Sequence, residues 1–155
     1  LRKFLVDGRT RLPMVLIDSY WRANGEPFCP AADGLSHHIA PSGFIEPCPV
    51  VQMARENAAD GELATVYENS ALIRDFRKEI LGKTKGCVLM EDPAWLKNFA
   101  LKHEAINTSG RPDYFDKLAA SPVVTSHGSC PVIPERNLIY RIAKKTAFFG
   151  MGAYG

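Results

Sequence analysis

A chain of 155 residues is long enough for one ordinary domain and too short for two well-cored ones. Hydrophobic residues make up 46% and charged residues 23%, a globular balance that argues against disorder, and a net charge of +2 gives no global case for a nucleic-acid binder. The longest strongly apolar runs, such as Met14 to Ile17, fall far short of the roughly 18 residues a membrane span needs, and no basic-then-apolar leader opens the chain, so a soluble, cytoplasmic protein is expected. The chain opens at Leu1 rather than Met, and Phe4-Leu5-Val6-Asp7-Gly8-Arg9 reads as the middle of a longer sequence, which predicts a fragment or a processed chain.

The first predicted element is a strand over Pro13-Met14-Val15-Leu16-Ile17-Asp18, a short apolar run bounded by a proline and an acidic residue, although periodicity alone leaves a buried helical turn open. From Asn24 to Pro49 glycine and proline crowd together and argue against helix. Within that stretch His37-His38-Ile39-Ala40 and Phe44-Ile45-Glu46 flank Pro41-Ser42-Gly43, which is turn chemistry and predicts a short β-hairpin. Ser70 can cap a helix with Leu72, Ile73, Phe76 and Ile80 on its inner face, ending at Gly82. Asp92-Pro93 opens a second helix to about Glu104, with Trp95, Leu96, Phe99 and Ala100 inward. A shorter helix is expected over Asp113 to Ala120. The last runs from Pro134 to about Phe148, with Leu138, Ile139, Ile142 and Ala143 facing one way and Arg136, Arg141, Lys144 and Lys145 forming a basic side. The fold class expected is α+β: a small β-hairpin unit followed by several helices and preceded by one strand.

Four cysteines, Cys29, Cys48, Cys87 and Cys130, are widely spread in a chain without an export signal, so metal binding or simple burial is favoured over a disulfide framework. Three of them directly precede proline, although only 11 of the 155 residues are proline. Proline in that position extends the cysteine backbone, removes a competing amide donor and ends local structure, and iron–sulfur ligands commonly sit in such loops. Zinc sites usually pair cysteines two to four residues apart, whereas 18 residues separate Cys29 from Cys48. Zinc becomes less favoured and stays open.

Thirteen residues separate Cys29 from Gly43 and four separate Gly43 from Cys48. This spacing, with the text His37 to Pro49 around it, resembles the opening of the SPASM and twitch auxiliary-cluster domains of radical SAM enzymes. In those domains a glycine turn delivers the second cluster ligand. The helix from Ser70 followed by Gly86-Cys87 is similar to the helix and returning cysteine that come after that hairpin. The likeness is good over residues 24–92; residues 1–23 resemble the end of the preceding barrel, and beyond residue 92 only Cys130 supports it.

The resemblance implies one auxiliary [4Fe–4S] cluster held by Cys29, Cys48, Cys87 and Cys130, in a domain spanning residues 24–155. It implies an upstream radical SAM core with S-adenosylmethionine and a second [4Fe–4S] cluster, an unnamed substrate, and a reductant such as ferredoxin or flavodoxin. The fuller pattern adds a Cys-x-x-Cys that is missing here, so at most one four-cysteine cluster can be built; no Cys-x-x-x-Cys-x-x-Cys run exists either, so this chain alone cannot cleave S-adenosylmethionine. The alternative from the residues alone is a zinc-stabilised, non-catalytic binding module, and the blandest is a metal-free domain with buried thiols. His37, His38 and His127 are weighed as ligands against ordinary packing or solvation. Asp18, Tyr20 and Trp21 are weighed as cavity lining against packing, and the basic helix from Pro134 as a peripheral membrane contact against a solvated face. Glu46 and Glu91 are single carboxylates with no evident partner in the sequence.

Overall fold

The computed structural model describes residues 1–16, 20–84, 86–125 and 131–145. Its centre is the helix whose start signal is Ser70. That hydroxyl accepts the amide of Ile73 at 3.2 Å and donates to Glu56 at 2.7 Å, satisfying one of the orphan donors of a helix start while tying it to the preceding loop. The helix runs Ala71–Ile80 (α3), and Leu72, Ile73, Phe76 and Ile80 are all buried. Asp92 caps Pro93–Lys102 (α5) in the same way through Trp95, and its face of Leu96, Phe99 and Ala100 is buried against α3. Phe76, Trp95 and Phe99 form a cluster with centroids 4.9 to 6.0 Å apart, the separation at which offset and edge-on rings attract.

The hairpin is where the turn chemistry predicts it. His38–Ile39 (β1) pairs antiparallel with Ile45–Glu46 (β2), His38 opposite Glu46. Gly43 takes φ +85°, a left-handed conformation that costs a side-chain-bearing residue about 1–2 kcal/mol. A second antiparallel pair joins Met53–Ala54 (β3) to Ile106–Asn107 (β4), with Met53 and Ala54 fully buried. Helices Leu63–Asn69 (α2), Val88–Glu91 (α4) and Tyr114–Ala119 (α6) complete this unit; α6 is the short helix expected near Asp113, packed on α5. The α+β class and the small hairpin stand.

Two expectations need correction. The described part of the run beginning at Pro13 is not a strand: residues 13–16 pair with no other strand, and Met14 and Val15 are exposed. Side chains satisfy its backbone instead, since Leu16 donates its amide to the Tyr140 hydroxyl at 2.9 Å and its carbonyl accepts Arg9 Nε at 2.9 Å. What precedes it is a helix, Arg2–Arg11 (α1), whose inner face of Arg2, Val6 and Arg9 carries guanidiniums where an apolar stripe would be expected. Arg9 is paired with buried Glu135, Arg2 lies 3.7 Å from the same carboxylate, and Arg2 Nε donates to the Ile133 carbonyl at 3.0 Å.

The second correction concerns the last helix, Leu138–Ala143 (α7), which starts later than Pro134. Tyr140 and Ala143 are its buried residues, while Leu138, Ile139 and Ile142 are 65%, 73% and 55% exposed. The apolar stripe faces solvent because the contacts to α1 are made by Glu135 and Tyr140. Residues 146–148 lie outside the described residues, as do Asp18, His127 and Cys130. Among the described residues, no helix is long and apolar enough to cross a membrane.

Candidate functional site

Three of the four cysteines come together. Cys29, Cys48 and Cys87 line one pocket, although 18 and 38 residues separate them along the chain. Each arrives from a different piece of structure. Cys29 opens the turn in which its carbonyl accepts the amide of Asp33 at 3.1 Å. Cys48 lies just beyond β2 and forms a bridge with Val51. Cys87 is the residue before α4, its carbonyl accepting the amides of Met90 and Glu91 at 3.0 Å. None of the three is in a disulfide.

The two Cys-Pro sites share one local geometry, which accounts for the proline. The Cys29 sulfur accepts backbone amides from Ala31 and Ala32; the Cys48 sulfur accepts them from Val50 and Val51. In each case the residue following cysteine has no N–H to offer, and the chain turns so that the next two amides point back at sulfur. Amide donors of this kind stabilise negative charge on sulfur and are one of the protein's means of tuning a sulfur-bound metal centre.

The remaining walls are apolar: Val51 and Phe76 belong to the core cluster, as does Val88, and Pro30 and Pro49 close the sides. The cavity is small, about 50 Å³, several times the roughly 10–15 Å³ that admits one water. Burial in these surroundings pushes the Cys48 thiol up to about 12, against the opposing pull of its two amides, and raises the Cys29 thiol for the same reason. Among the described residues, no three His, Cys, Asp or Glu side chains are grouped so as to hold a metal ion. The three thiols therefore share a pocket without meeting at a point.

Tyr20 also lines this pocket. The sequence left it between cavity lining and packing. The Tyr20 carbonyl accepts the Phe28 amide at 3.0 Å, and Trp21 bridges to Pro27, so an antiparallel contact sets Tyr20 beside Cys29. Burial, followed by the charges of Cys87, Cys48 and Cys29, raises its phenol. Phe76 is a second lining residue that helical spacing marked only as core.

The histidines are engaged elsewhere. His38 Nδ1 lies 2.7 Å from Glu46 Oε2, and the Thr108 hydroxyl bonds the other oxygen of that carboxylate, which is only 2% exposed. Glu46 thus has the partners that its sequence context did not reveal, and so does Glu91, which accepts the Thr84 hydroxyl. The ring of His37 packs edge-on against Tyr67, and its Nδ1 contacts both the Tyr67 hydroxyl and Arg77. Burial and then the Arg77 charge lower its pKa, which favours the neutral ring. Trp21 takes the Arg2 guanidinium over its ring at 5.8 Å, a packing role. No family model, no curated protein and no solved structure matches this chain.

Proposed function

We propose that this chain is the auxiliary-cluster region of a radical SAM protein, in which Cys29, Cys48 and Cys87, with Cys130 as the fourth thiolate, hold one [4Fe–4S] cluster. The observation that carries the reading is the convergence of three cysteines, distant in sequence, on one apolar pocket. The donor set suits such a group: four thiolates are its usual ligands, and two of these sulfurs already accept paired amides. A single zinc ion holds thiolates at about 2.3 Å, which demands sulfurs gathered about one point; a cluster spreads its ligands around a larger inorganic core.

When bound, the cluster would supply a one-electron relay to or from substrate, or an anchor for it. The chain's own residues would do the rest. Phe76, Val51 and Val88 would give the sulfurs an apolar wall, and the amides of Ala31, Ala32, Val50 and Val51 would offset thiolate charge as protons leave on ligation. The S-adenosylmethionine-cleaving core, its own cluster, the reductant and the substrate belong to the upstream part of this proposal.

Anaerobic reconstitution with iron and sulfide tests it. The expected product is brown, absorbs near roughly 400 nm, and contains about four iron and four sulfide per chain. Replacing Cys29 or Cys48 by alanine is expected to abolish loading. A colourless chain that co-purifies with zinc, or iron uptake indifferent to both substitutions, overturns the reading.

A further inference from the structure

Helix α7 carries two features that neither the cysteine pocket nor the core uses. Leu138, Ile139 and Ile142 project from it at 65%, 73% and 55% exposure, on the side away from buried Tyr140. Beside them Arg141 and Lys145, four residues apart, line one depression of about 410 Å³ with Ala23, Asn24, Pro134 and Glu135. Among the described residues no acidic group pairs with either of these cations, whereas Arg2 and Arg9 have Glu135, and Arg136 has Asp7 at 3.5 Å. The depression's one carboxylate, Glu135, is thus already engaged by α1. The helix is pinned in place behind this face: the Tyr140 hydroxyl accepts the Leu16 amide at 2.9 Å, the Arg9 guanidinium lies 4.4 Å from the centre of the Tyr140 ring, and Lys144 donates to the Trp21 carbonyl at 2.7 Å. Charge is segregated in the same sense. Residues 1–16 and 131–145 hold eight Lys and Arg against two acidic residues, a formal +6, while the rest of the chain holds eleven against fifteen, a formal −4.

We propose that this face of α7 docks on an anionic phospholipid bilayer, with Leu138, Ile139 and Ile142 entering the acyl boundary and Arg141 and Lys145 meeting the lipid headgroup anions. Charge complementarity selects this occupant. A second copy meeting the same patch across a two-fold axis would set Arg141 and Lys145 against their own equivalents, like charge on like. A bilayer supplies the opposite charge, and its fluid interface takes in projecting aliphatic side chains without a shape-matched pocket. Because α7 is already held by Tyr140 and Lys144, docking has little chain left to order. The imbalance between the +6 layer and the −4 remainder orients the molecule with this layer toward the anionic surface.

The test is co-sedimentation of the full chain with vesicles of phosphatidylcholine alone and of phosphatidylcholine mixed with phosphatidylserine, at low and at raised salt. The chain is expected to bind the mixed vesicles, to bind phosphatidylcholine far less, and to be released by salt. Replacing Arg141 and Lys145 together by glutamine is expected to weaken binding about fivefold per cation, or about 30-fold for the pair. Replacing Leu138, Ile139 and Ile142 together by serine is expected to weaken it at least about tenfold. All five side chains are exposed, so far-ultraviolet circular dichroism is expected to match wild type; Ile139→Ser alone, with a several-fold loss, decides the matter where the triple variant does not fold. Equal binding to both kinds of vesicle, or binding to neither, overturns the proposal, and so does a glutamine pair within about twofold of wild type. Serine variants that bind as wild type overturn the insertion of α7. A wild-type dimer that dissociates in the serine variants assigns the face to a second copy, and release from vesicles by inorganic phosphate at matched ionic strength, with the serine variants undiminished, assigns the depression to free phosphate; either result overturns the bilayer. None of these readouts involves iron, so the outcome is independent of the cluster reading.

Discussion

The thiol of Cys48 offers a test of the pocket that needs no metal. Burial raises it from its ordinary 9.0 to about 12. Thiolate is the reactive form, so at pH 8 about one molecule in ten thousand is reactive in the folded chain, against about one in ten once unfolded. A more basic thiolate is also a better nucleophile, with a Brønsted slope of about 0.4–0.5 that returns part of the loss, leaving the folded thiol about 30- to 60-fold slower. Iodoacetamide labelling of the reduced, metal-free chain, resolved by peptide mass spectrometry and compared with the same chain in guanidinium, measures this ratio. The folded rate is expected to climb about tenfold per pH unit from pH 8 toward 12. The sign for stability follows: with the folded value above the unfolded one, Cys48's contribution is fully present below pH 9 and is lost as pH rises toward about 12. Labelling of folded Cys48 within threefold of the unfolded rate would refute an apolar setting for this thiol.

Phe76→Ala removes a ring that is 1% exposed, touches Trp95 and Phe99, and walls the cysteine pocket; it is expected to cost about 3–5 kcal/mol in urea denaturation, with Phe76→Leu costing clearly less. Gly43→Ala places a Cβ 2.6 Å from the Asn57 side-chain oxygen at φ +85°; a loss of about 1–2 kcal/mol is expected, read as a melting temperature lower by about 2–8 °C.

What the sequence disclosed was local. Ser70, Asp92 and the Pro41-Ser42-Gly43 turn act within a few residues of themselves, and the elements they start or close are in place. Cys29, Cys48 and Cys87 were singled out by residue type and spacing, and they line one pocket, while the recurrent Cys-Pro step had a local cause in the amides two and three residues on. Long-range decisions were not legible. Met14 and Val15 look like strand residues, but a strand needs a partner, and the nearby backbone of Leu16 is claimed by Arg9 and Tyr140. The inner face of α1 was hidden because its two buried arginines share the carboxylate of Glu135, more than 120 residues away. Nothing near Leu138, Ile139 or Ile142 tells which side of α7 meets α1. Tyr20 enters the pocket only because a bridge sets it beside Cys29, and no pattern around Tyr20 announces that.

The pairing of Arg9 with Glu135 has a consequence for the order in which the molecule assembles. It joins positions 126 residues apart, and both partners are fully buried. Closing so long a loop gains little until the intervening chain is compact, so this clasp is expected to form on the native side of the folding barrier. Helix α1 and residues 131–145 then act as a layer laid over an already formed centre, tied to it through the Ala23 carbonyl, which accepts the Glu135 amide, and the Trp21 carbonyl, which accepts Lys144. Such a layer opens first as well as closing last: its amides should exchange with solvent through a partial opening that leaves α3 and α5 intact. The two ends of the described chain are thus expected to open as one unit and the stretch between them as another.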